Sequence, residues 1–66
     1  MCLSTVYIES GNGQKEIMKD VARLEAEGNG YWMIDLLGEK KFIEGVIERM
    51  DMMDSYVVVN PDRPSS

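Results

Sequence analysis

Polar and apolar side chains alternate from the first residues of the chain. In "MCLSTVYIES", Leu3, Thr5 and Tyr7 fall on one side, and Cys2, Ser4, Val6 and Ile8 fall on the other. With β-branched residues throughout, this period of two predicts a strand. "SGNG" at 10–13 follows at once. Asn12-Gly13 is a hairpin signal, because a type I′ turn needs positive φ at both central positions, so a second strand is predicted from near Gln14. Residues 16–27 carry two periods together. Ile17, Val21 and Leu24 suit a helix, whereas Ala22, Leu24 and Ala26 alternate with Arg23, Glu25 and Glu27. The alternation, followed by Asn29-Gly30, predicts a second hairpin from residues 22–27 and 31–37.

Residues 42–53 are the hardest stretch to assign. Phe42, Ile43, Val46, Ile47, Met50 and Met53 lie at helical spacing. Against a helix stand Gly45, which costs about 1 kcal/mol relative to alanine there, and the β-branched Val46 and Ile47. A strand is predicted. "SYVVVN" reads as another, and "PDRPSS" as a terminating tail whose prolines cannot join a ladder. Five to seven short strands in so short a chain suggest an all-β fold that closes, or nearly closes, into a small barrel, since closure removes exposed edges. Residues 1–60 are expected to form this single domain and 61–66 a flexible tail.

Length and charge narrow the function. A chain of 66 residues buries only about 60% of the surface its unfolded form exposes, so its core is small and dimerisation would help it. The five aromatic residues and 44% hydrophobic content argue against disorder. A net charge of −5 without a basic block disfavours nucleic acid. The longest apolar run, "YWMI", is too short to cross a bilayer, and nothing resembles a signal peptide. A cytoplasmic location is expected.

Most motifs have a plain explanation. "GNG" at 11–13 and 28–30 lacks the further residues of a phosphate loop and reads as turn. With no histidine, the usual proton shuttle and the usual nucleophile pairs are missing. The carboxylates are scattered among basic residues, so an enzyme is not expected. Met18, Met33, Met50, Met52 and Met53 could suit a soft metal, but core packing is the expectation. Tyr31-Trp32 could stack on bases; without basic neighbours, core or interface packing is expected.

Cys2 is the single cysteine. It could be a small buried hydrophobe. It could also bind metal, because once Met1 is removed the α-amine and thiolate of one residue close a five-membered chelate, with the Leu3 backbone nitrogen as a further donor. Nitrogen and thiolate donors suit a square-planar ion such as Ni(II) or Cu(II). Filling four positions would take water or a second chain.

"MCLSTVYI", the length, the acidic middle "ARLEAEGNGYWMIDLLGEKKFIEG" and the late "VVV" together resemble the CooT family, small proteins linked to nickel insertion into carbon monoxide dehydrogenase. The resemblance implies an SH3-like or Sm-like barrel. It also implies a homodimer holding Ni(II) between two Cys2 residues, with the Leu3 backbone nitrogen as donor. The implied partners are a nickel enzyme or its maturation proteins. Without histidine, delivery or sensing is expected rather than storage. The rival reading is a metal-free barrel that binds RNA or another protein, a label that rests on fold analogy.

Overall fold

Strand β1 (Ser4–Ser10) forms where the alternation is cleanest, with Val6 fully buried on the inner face and Tyr7 on the outer. The structure, a computed structural model, describes residues 3–62. After β1 come β2 (Gly13–Glu27), β3 (Gly30–Asp35), β4 (Lys40–Glu44), β5 (Val46–Asp51) and β6 (Tyr56–Asn60). No helix occurs among the described residues. The all-β expectation holds, and six strands fall within the expected range. Residues 42–53 are strand as far as Asp51, interrupted at Gly45.

The strands form one sheet in the order β4-β3-β2-β1-β6-β5. Every pairing is antiparallel except β1 with β6, which is parallel. One cluster of Val6, Met18, Val21, Met33, Ile43, Val57 and Val59 fills the interior. The sheet surrounds this core without closing, because β4 and β5 remain as its two edges.

Two expected strands prove to be one. β2 runs for 15 residues. Its first part pairs with β1 as far as Val21, and its second part, from Val21 onward, pairs with β3. Irregularities in both ladders meet here, and Asp20 adopts a φ of 55°. Each such bulge adds a residue and bends the strand, which turns the two halves toward different partners.

Both hairpin turns sit one residue earlier than the sequence suggested. Ser10 pairs with Gly13 and Glu27 with Gly30, so the central residues are Gly11-Asn12 and Gly28-Asn29. Neither asparagine has positive φ. In the second turn Gly28 at φ 61° supplies the positive φ that a type II′ turn needs at its first central position. The second hairpin also stops at Asp35 rather than residue 37. The Asp35 Oδ1 accepts hydrogen bonds from the backbone N–H of Leu37 and of Glu39, each at 2.9 Å, and so closes a loop. Leu36 and Leu37 are left exposed on it.

The three valines of β6 are all buried because this strand lies inside the sheet. Val57 and Val59 face the core. Val58 lies on the other face, between Tyr7 and Arg49 in the ladders. There the Tyr7 and Tyr56 rings meet edge to face at 6.1 Å, and the Arg49 guanidinium lies 6.0 Å from the Tyr56 ring.

Candidate functional site

The start of β1 is where the sequence places its only soft anionic ligand. Cys2 lies outside the described residues. Leu3, the proposed donor of a backbone nitrogen, is half-buried and precedes the first ladder pair, Ser4 with Val21. The strand it enters is anchored on both sides. β2 pairs along one edge and β6 along the other, and the Thr5 N–H donates to the Ser55 carbonyl at 3.0 Å.

Beside this start lies an apolar cleft of about 240 Å³. One wall is Val21–Leu24 of β2, and the other is Met50–Met52 with Ser55–Val57. It exists because β1 ends at Ser4 while β2 continues to Glu27. Nothing in the hydrophobic pattern signalled this mismatch of lengths, so the cleft was not legible in the sequence.

The far wall belongs to the turn that closes "DMMD". The Asp51 Oδ1 accepts the backbone N–H groups of Met53 at 3.0 Å and Asp54 at 2.8 Å, and Ser55 takes a φ of 55°. This turn corrects the expectation for the methionines. Met18 and Met33 are in the core, but Met50, Met52 and Met53 are 53%, 81% and 94% exposed. β5 ends at Asp51, so Met52 and Met53 leave the sheet.

Tyr31 packs against the core as expected. Trp32 lies on the outer face, 5.1 Å from the Phe42 ring, with its Nε1 donating to Glu27 Oε1 at 2.6 Å. No group of three or more histidine, cysteine or carboxylate residues converges on a metal position among the described residues. No helix there is long and apolar enough to cross a membrane.

The family description "CO dehydrogenase accessory protein CooT" matches residues 1–60. The chain belongs to the CooT family. CooT is an accessory protein of CO dehydrogenase and not itself a catalytic enzyme. The fold agrees with a crystal structure from Carboxydothermus hydrogenoformans that bears the CooT designation. The two share a TM-score of 0.85 and 20% identity over 92% of this chain and 98% of that one. No curated protein matches the chain significantly.

Proposed function

We propose that the protein binds Ni(II) through Cys2, one ion between the two chains of a homodimer, and supplies it in the cytoplasm to carbon monoxide dehydrogenase or its maturation proteins. The observation that carries this reading is membership of the CooT family over residues 1–60. The donor chemistry supports it. Cys2 is the only cysteine in a chain without histidine, and no competing carboxylate cluster occurs among the described residues. Once Met1 is removed, the Cys2 thiolate, its α-amine and the Leu3 backbone nitrogen make a donor set for a square-planar divalent ion.

Titration of the full chain with Ni(II) tests the proposal. It should saturate near one ion per two chains, show a thiolate-to-metal charge-transfer band and release protons, because a coordinating thiol must lose its own. Affinity should therefore fall as pH falls. Cys2→Ala should abolish the band and the binding while the circular dichroism stays that of the native protein. Unchanged affinity and stoichiometry in Cys2→Ala would remove Cys2 from the site.

A further inference from the structure

We propose that Met50, Met52 and Met53, at the turn between β5 and β6, form a binding site for copper(I), which their three thioether sulfurs hold within a single chain. The site uses none of the Cys2 donors and stands independently of the nickel reading.

The argument begins with what these side chains do not do. Three of the six methionines of the chain fall in the four residues "MDMM". Met18 and Met33 are buried, whereas Met50, Met52 and Met53 are exposed. Burial is what makes a methionine stabilise a fold, so the exposed three contribute little to the core. They do not hold the turn either. Asp51 does that, its Oδ1 accepting the N–H groups of Met53 and Asp54, and Ser55 completes the reversal at a φ of 55°.

Three sulfurs are thereby left on a backbone that another side chain has fixed. Met50 lies opposite Val57 in the β5–β6 ladder. Met52 follows two positions later, and both line the same wall of the cleft. Met53 is the next residue along the turn. A methionine side chain is unbranched and turns about three bonds. Exposed as these are, they can bring their sulfurs together at the cost of rotamer freedom alone.

Donor chemistry then selects the ion. A thioether is neutral and soft, and it favours Cu(I) over the hard cations that carboxylates take. Three such donors suit a monovalent ion with a filled d shell, which imposes no geometry of its own. Asp51 and Asp54 place negative charge on either side of Met52 and Met53 in a chain of net charge −5, which draws a cation in. The Asp51 Oδ1 is already engaged by two amides. No histidine competes for the ion, and Cys2 is the single thiol.

Silver(I), the air-stable counterpart of Cu(I), is the probe. The full chain carrying Cys2→Ala, or the native chain with Cys2 alkylated, is titrated with silver nitrate in chloride-free buffer and followed by the methionine methyl signals in NMR. One ion per chain should shift the signals of Met50, Met52 and Met53 and leave those of Met18 and Met33 in place. Affinity should exceed that of N-acetylmethionine amide by about a hundredfold or more, because linked donors act at a high effective concentration. Each single change of Met50, Met52 or Met53 to leucine should weaken binding by about tenfold or more. The triple change should abolish it, with the circular dichroism retained, since leucine conserves the volume. With Cys2 intact, the triple variant should take up Ni(II) as the unaltered chain does. Asp51→Ala should weaken silver binding by about tenfold through loss of two hydrogen bonds that set the turn, and Asp51→Asn, which keeps an accepting oxygen, should restore it. Affinity no better than that of the single thioether means that the sulfurs do not converge, and it overturns the proposal. So does silver binding that survives the triple change. Equal losses in Asp51→Asn and Asp51→Ala would make the carboxylate a ligand and overturn the all-thioether site.

Discussion

Gly45 marks the point where β4 hands over to β5, and replacing it with alanine should be among the most damaging single changes in the chain. Its φ of 134° lies where only glycine is comfortable. A Cβ there would sit 2.5 Å from the Asn60 carbonyl oxygen and 2.9 Å from both the Asn60 carbonyl carbon and the Pro61 Cα. All three contacts are backbone, so no side chain can swing aside. The torsional strain alone costs roughly 1–3 kcal/mol. Relieving the clash means shifting the Val46↔Asn60 end of the β5–β6 ladder. A combined loss of about 3 kcal/mol is expected, against a total of roughly 3–10 kcal/mol for a domain of this size. The melting temperature should fall by about 15 °C, at the usual several degrees per kcal/mol. Urea unfolding followed by Trp32 fluorescence and far-ultraviolet circular dichroism gives the measurement. Gly11→Ala serves as the control, since Gly11 has open space around it and no positive φ, and should change stability by less than about 0.5 kcal/mol. A loss below about 1 kcal/mol in Gly45→Ala would refute the reasoning, because the kink would then tolerate an ordinary residue.

Other consequences concern the methionines. Met33→Ala removes a fully buried side chain from the middle of the core and should cost about 3 kcal/mol, measurable by the same unfolding curves. Dilute peroxide should convert Met52 and Met53 to sulfoxide well before Met18 and Met33, as mass spectrometry of the peptides would show, since the first pair is exposed and the second buried.

The sequence announced strands clearly where one face is buried and the spacing is regular, as in β1. It was ambiguous wherever the sheet bends, and the bends explain the ambiguity. Met18, Val21 and Leu24 all turn inward, three residues apart, because the bulges around Val21 break the period of two and imitate a helix. The same holds for 42–53, where Gly45 and the bulge after Ile47 reset the alternation between Ile43 and Met50. Turn composition revealed both hairpins but not their centres, since "GNG" offers two adjacent ways to place two residues. The exposure of Met52 and Met53 depended on where β5 stops, and Asp51 decides that by capping the following turn through its side chain. The cleft beside Ser4 was hidden because it depends on β1 being shorter than β2.

The parallel pairing of β1 with β6 also governs the order in which the molecule can assemble. Thr5 lies beside Tyr56 in that ladder, 51 positions away along the chain (56 − 5). The β1–β2, β2–β3, β3–β4 and β5–β6 pairings join neighbours in sequence and can form by local zippering. Closing a loop of about fifty residues carries an entropy penalty near 3.5 kcal/mol plus a constant, so the step that joins the two ends of the chain should come late and set the folding rate. A chain still being synthesised cannot complete its sheet until Val59 is available to pair with Ile8. Until then the inner faces of β1 and β2 lack the valines that cover them.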